Sequence, residues 1–325
     1  MSHNRGELSK KKGQQVGGAG KTQKRYTNIK HLTSTTEAIN SPLMISTSQG
    51  YDPPSNTLEA VSNILSQQPS IAACYLRPHP QQALFIAWNG VIVLVYDRFP
   101  PSLVQAKTKI ASNNNNDDGV MLHLTEENFG SKWPKTTLGA VRDGVDELTL
   151  EQFEKLRDLC NQYSKRIITA SSSSSSSSSE QLQNHTPAES NRIKVATLSV
   201  VQYACRGLER LEKRIDITLD DSPHDDVEED NSKPSDEEQS RVNSVISEWN
   251  DAQAYLPRVN APGSHIGSYR QDTHGNTCVA FIDSAMPSYL RKCLSEFRNA
   301  VNDEFSGRYV WLDESSLHCT LRSLD

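Results

Sequence analysis

The chain has 325 residues, a net charge of −6 and an apolar share of 35%, below the roughly 45–50% of an ordinary globular domain. The length allows two domains, and the composition requires that part of the chain lie outside any core. The acidic balance argues against a protein that coats nucleic acid, although the charge is uneven and leaves room for a local cationic pocket.

Residues 1–50 read as a disordered basic tail: among the first 36, Glu7 is the only acid. An organelle transit peptide is the lesser reading, because the tail is rich in lysine rather than arginine. No stretch approaches the ~20 apolar residues of a membrane span, and no apolar signal segment opens the chain. The protein is expected to be soluble and intracellular, in cytoplasm or nucleus, with no membrane contact. "QVGGAGKT", Gln15 to Thr22, imitates a phosphate loop but has Gln15 in place of the first glycine. It also lacks the strand and helix that would aim its amides. His31 and Thr33 in "KHLTS" read as a chance match to the pattern discussed below.

Residues 51–219 are expected to form a first α+β lobe. Ile71–Leu76 and Ala83–Tyr96 are apolar and β-branched, with a hairpin signal at Asn89-Gly90. Residues 102–111 have helical spacing behind two prolines. Low-complexity insertions are read at 112–118 and 171–190. Between them, "VMLHLTEENFGSKWPKTTLGAV" predicts one or two short strands, and "LTLEQFEKLRDLCNQYSKRI" an amphipathic helix capped by Thr149. Ile193–Cys205 reads as a strand.

Residues 220–240 are read as an acidic disordered linker, and 241–325 as a second lobe. There a short helix is expected at Arg241–Trp249, a loop at "YLPRVNAPGSHIGSYRQDTHG", a strand at Asn276–Asp283, and a helix at Met286–Phe305. One or two strands close the chain. The six cysteines are widely spaced, which argues against a zinc site or a disulfide framework. Neither a metal nor another cofactor is expected.

The two regions repeat weakly: apolar strand, proline-containing loop, amphipathic helix, then a strand ending in Thr-Leu. The expected fold is α+β, with two related ferredoxin-like βαβ lobes facing a cleft and long disordered insertions between elements.

The chemistry is read from "SSLHCTLRSLD", Ser315 to Asp325. Strand alternation sends His318 and Thr320 to one face and Cys319 and Leu321 to the other. An imidazole beside a hydroxyl suits a phosphate, since one moves protons and the other holds an oxygen. Arg322 joins them only if the strand stays regular. A strand histidine satisfied by a neighbour is the plainer alternative.

"NTCVAFID", the following helix and "WLDESSLHCTLRSL" together resemble half of a two-histidine (2H) phosphoesterase, a superfamily of cyclic phosphodiesterases and RNA-ligase-like proteins. Its signature, H-x-[ST]-apolar, occurs twice; the resemblance covers about 50 residues here, Asn276 to Asp325. It implies a metal-independent phosphoric diester hydrolase that acts on RNA ends or cyclic nucleotides. One histidine would serve as base, the other as acid, and two Ser/Thr side chains would hold the phosphate. By this resemblance His318 and Thr320 are one pair.

The second pair is open. If His318 belongs to the first motif, its partner lies beyond Asp325 and the chain is truncated. If it belongs to the second, the repeat points to "WPKTTLG", where Lys135 stands in the histidine position and Thr137 matches. A lysine with a pKa near ~10.4 is a poor base at neutral pH; it serves as a phosphate clamp, or as an acid if burial lowers its pKa. "LHLTE" offers His123 and Thr125 as an alternative partner, with Glu126 breaking the pattern. Three functions follow: a phosphodiesterase that is active, incomplete or degenerate; an inactive module that binds phosphate or an RNA end; and an interaction protein on this scaffold. The oligomeric state is left open.

Overall fold

The hairpin signal at Asn89-Gly90 is where the chain turns between β2 (Leu84–Ile86) and β3 (Ile92–Val95). Both turn residues have positive φ, 62° and 73°, the conformation that Asn and Gly adopt most cheaply. Only glycine fits the second position, because a Cβ there would meet Val141 Cγ2 at 2.6 Å. The computed structural model describes residues 57–67, 69–112, 124, 133–172, 191–221 and 236–324, all within one compact unit spanning Thr35–Asp325.

The protein is a mixed α+β fold whose described strands pair antiparallel. One four-stranded sheet has the order β2-β3-β4-β9, where β4 is Lys135–Val141 and β9 is Tyr309–Trp311. The other has the order β10-β8-β6-β7: β10 is His318–Ser323, β8 Gly275–Phe281, β6 Thr197–Tyr203 and β7 Leu211–Thr218. A two-stranded ladder joins β1 (Cys74–Leu76) to β5 (Ile193–Val195).

Seven α-helices are found among the described residues. They are α1 (Thr57–Ser66), α2 (Pro101–Ser112), α3 (Leu150–Ser172), α4 (Asp236–Asn250), α5 (Ala252–Val259), α6 (Ile266–Arg270) and α7 (Ser288–Glu304). α3 starts with a reciprocal cap: the Gln152 amide donates to Thr149 Oγ1 at 3.2 Å, and the Thr149 amide to Gln152 Oε1 at 3.0 Å. α7 buries Leu290, Cys293, Leu294, Phe297 and Val301, a stripe at three- and four-residue spacing in which each large side chain contributes about 1.5–3 kcal/mol.

α3 packs on α7 and on β2. Phe85, Phe153, Trp249 and Tyr255 form one aromatic cluster with ring separations of 4.5 to 6.1 Å, and the Tyr255 hydroxyl donates to the Ile86 carbonyl. All six cysteines are free and buried.

Three parts of the fold differ from expectation, the first being α1, where no helix was expected. The segment read as a loop from Tyr255 contains the end of α5 and all of α6. Pro257 disguised α5, but the helix is set at its start, where Asp251 accepts from the Ala254 amide at 3.1 Å. β7 was not expected at all: its outer residues are exposed, and only Ile215 and Ile217 face the core.

His79 ties the first region together and makes it acid-sensitive. It is 3% exposed, lies edge-on to Trp133 at 5.1 Å, and its Nδ1 accepts from the Gln81 and Gln82 amides. Burial lowers its pKa from the ordinary imidazole value, and nearby Asp97 opposes this in part. Unfolded, the ring binds a proton near pH ~6.5; folded, it does so only at lower pH. Stability is therefore full above that value and is lost as the pH falls below it. The unfolding midpoint in urea is expected to drop on acidification below pH ~6.5, with a shallower dependence in His79→Gln; identical slopes in both proteins would contradict this.

Candidate functional site

Strands β4 and β10 belong to different sheets, yet they lie against one another. The buried Cys319 side chain meets the backbone amide of Lys135. Along each strand exposure alternates. Thr136 and Leu138 on β4, and Cys319 and Leu321 on β10, are 0% exposed, whereas Lys135, Thr137, His318 and Thr320 are all half-buried. The inward residues thus make the seam, and the two site pairs occupy the alternate positions.

Each strand also carries a bulge at the same motif position. In β4 the register to β3 passes from Thr137↔Val93 to Gly139↔Ile92, which leaves Leu138 as the extra residue. In β10 the register to β8 passes from Thr320↔Val279 to Arg322↔Cys278, which leaves Leu321. Both strands return antiparallel beside an earlier strand after a helix: α2 lies between β3 and β4, α7 between β8 and β10. The K-x-T-L and H-x-T-L segments therefore correspond in architecture as well as in sequence. A bulge re-aims the side chains that follow it. Here it turns Arg322 to the Cys278 side of the sheet, where it is 3% exposed, so Arg322 does not join His318 and Thr320.

His318 is held by its own turn. Its Nδ1 lies 2.7 Å from the Ser316 carbonyl oxygen, which can only accept, so the neutral ring carries its proton on Nδ1 and leaves the Nε2 lone pair for chemistry. Burial lowers its pKa and the Ser316 carbonyl works in the opposite direction; the net shift is downward, which keeps the ring neutral at physiological pH. Opposite it on β8, Phe281 lies at a ring separation of 6.1 Å, edge to face.

The His318 face of the sheet also carries Val279, Ser199, Val201 and Tyr203, and on β7 Arg214 and Asp216. Val201, Tyr203 and Val279 form a small apolar cluster with Leu208, with Phe281 packed at its margin. Leu208 has φ 55°, unusual for a branched side chain, and burial of that side chain offsets the strain. The turn that carries Leu208 brings Arg206 over the Tyr269 ring at 5.5 Å, and the Tyr269 hydroxyl is within hydrogen-bonding reach of Thr137. Contacts thus link His318 through Phe281 to this buried cluster, and the turn at Leu208 to Tyr269 and Thr137.

Behind the seam lies Lys107, 2% exposed, with its ammonium over the Phe99 ring at 4.7 Å. Cys319 has its thiol pKa pushed up by burial to about 12, against opposing effects of the Lys135 amide and Lys107. It is a packing residue and carries no thiolate chemistry at neutral pH.

His123 and Thr125 lie outside the described residues, as do His31, Thr33 and the segment from Gln15 to Thr22. Among the described residues, no group of three or more His, Cys, Asp or Glu side chains is placed to hold a metal ion. No helix among them is long and apolar enough to cross a membrane.

No family model, curated protein or solved structure matches the chain. The site therefore stands on its own geometry.

Sequence reading missed Arg214, Arg206 and Tyr269. The alternation of Arg214 and Asp216 with Ile215 and Ile217 was the available signal for β7. What Arg214 would face depended on pairing that no local pattern carries.

Nitrogen-15 NMR of imidazole-labelled protein is expected to place the His318 proton on Nδ1 in the neutral form, with titration below pH ~6.5. An Nε2-protonated ring, or titration at or above that pH, would contradict this geometry.

Proposed function

We propose that the protein is a phosphodiesterase of the two-histidine type, acting on RNA ends or cyclic nucleotides, with His318 as its acid–base group. The observation that carries the reading is the match of β4 and β10: side by side, half-buried at Lys135, Thr137, His318 and Thr320, and bulged at the same motif residue. A pair of equivalent strands that each present a polar side chain and a threonine suits one phosphate held from two sides.

In this reading, Nε2 of His318 takes the proton from the attacking water or hydroxyl. Thr320 and Thr137 donate to non-bridging phosphoryl oxygens. Lys135 supplies positive charge where negative charge develops; as an ammonium it stabilises the leaving oxygen without matching a histidine as proton donor at neutral pH. The protonated His318 then returns the proton to the leaving oxygen in a slower second role, unless another imidazole, such as His123, does so.

The lysine itself favours a second reading. Lys135 in the place of the first histidine is also what a phosphate- or RNA-end-binding module without turnover would carry.

The two readings separate in one assay, using the full chain and a short RNA that ends in a 2′,3′-cyclic phosphate, in the presence of EDTA. A phosphodiesterase opens the ring, and His318→Ala lowers kcat/KM at least ~100-fold. Lys135→His, which restores a second imidazole, is expected to raise kcat about tenfold or more. Binding without ring opening in both wild type and Lys135→His would favour the module, and a His318→Ala protein as active as wild type would remove His318 from the chemistry.

A further inference from the structure

The His318 face of the β10-β8-β6-β7 sheet holds a partly exposed cation built in from β7. Arg214, 41% exposed, lies with Cζ 4.4 Å from the centroid of the Phe281 ring. Its Nε donates to Asp216 Oδ1 at 2.7 Å, and that same oxygen accepts from Ser199 Oγ at 2.6 Å. Burial raises the pKa of Asp216, but its bonds from Arg214 and Ser199 together outweigh this and leave the carboxyl below its usual value. The carboxylate is thus charged at neutral pH and fixes the plane of the guanidinium.

Asp216 holds the guanidinium through Nε and Phe281 lies beneath it, and the Arg214 side chain is still exposed in part. That Phe281 is also the ring edge-on to His318 at 6.1 Å. The sum of the two separations, 10.5 Å, is therefore the greatest distance from the His318 ring to Arg214 Cζ, a span that one ribose and its base bridge.

A planar, weakly hydrated cation already stacked on an aromatic ring accepts a second flat group on its free face. Bases stacked on arginine planes and aromatic rings are a common way of holding single-stranded RNA, and every base offers such a face. A surface arginine that served only as a charge would need neither the aromatic support nor the carboxylate brace.

We propose that Arg214, stacked on Phe281 and braced by Asp216, is a base-stacking subsite for the nucleotide whose phosphate reaches His318. The inference deepens the phosphodiesterase reading and rests on it for the position of that phosphate. It makes the ligand a nucleotide recognised by its base plane with little regard to base identity, rather than a phosphodiester recognised by charge alone.

The test is an equilibrium titration by fluorescence anisotropy with two 5′-labelled RNA trinucleotides carrying a 3′-phosphate, one intact and one lacking the base of its last nucleotide. Wild type is expected to bind the intact RNA about tenfold more tightly than the abasic one, the scale of one stacked base. Arg214→Ala should bind both alike, at the abasic level, and Arg214→Lys should behave as Arg214→Ala, since it keeps the charge and loses the plane. Equal affinity of wild type for the two RNAs would overturn the proposal, as would recovery of the difference by Arg214→Lys. Because binding is read without turnover, a protein that shows this pattern but opens no cyclic phosphate separates failure of the catalytic reading from failure of this one.

Discussion

The contact on which the site depends is the seam between β4 and β10. These strands are not ladder partners, so nothing in either sheet's hydrogen bonding fixes their distance. Burial does: Thr136, Leu138, Cys319 and Leu321 are fully enclosed, and the Cys319 thiol takes up the Lys135 amide. Because side chains alternate along a strand, enclosing one set delivers the other, Lys135 and Thr137 with His318 and Thr320, to the surface beside it. Packing of the seam and presentation of these four polar side chains are thus two outcomes of one alternation. A substitution that enlarges Cys319 would act on the site without touching any of the four polar side chains.

The bulges at Leu138 and Leu321 complete that arrangement. A regular β10 would bring Arg322 to the same face as His318 and place a second cation against a ring whose lowered pKa already disfavours charge. The extra residue turns Arg322 inward instead. The exposed cation on the His318 face then comes from Arg214, three strands across the sheet on β7 and fixed by Asp216.

Much of this architecture was legible in local pattern. Asn89-Gly90 announced its hairpin through the positive φ that both residues adopt, and Thr149 announced α3 by the cap it makes with Gln152. The stripe of Leu290, Leu294, Phe297 and Val301 announced α7. His318 and Thr320 shared a face by alternation alone, and the internal likeness of the two Thr-Leu strands pointed to Lys135 and Thr137. What escaped depended on long-range contact or on a single-residue slip. Arg322 changed face through one unpaired residue, and β7 hid because its outer side is polar. Tyr269 reaches Thr137 from α6, which is bonded to the turn at Gly207, and α5 was concealed by Pro257, whose cost to the helix is offset by packing of Tyr255 into the aromatic cluster.

The central claim is that the K-x-T and H-x-T strands form one phosphate site rather than two surfaces that happen to be adjacent. Its most direct test is a titration of isotopically labelled protein with inorganic phosphate, followed by the backbone amide resonances of Thr137 and Thr320. The account predicts that both shift along a single saturation curve with a common Kd, and that His318→Ala weakens both together. Saturation of only one threonine, or two curves with unrelated constants, would contradict it.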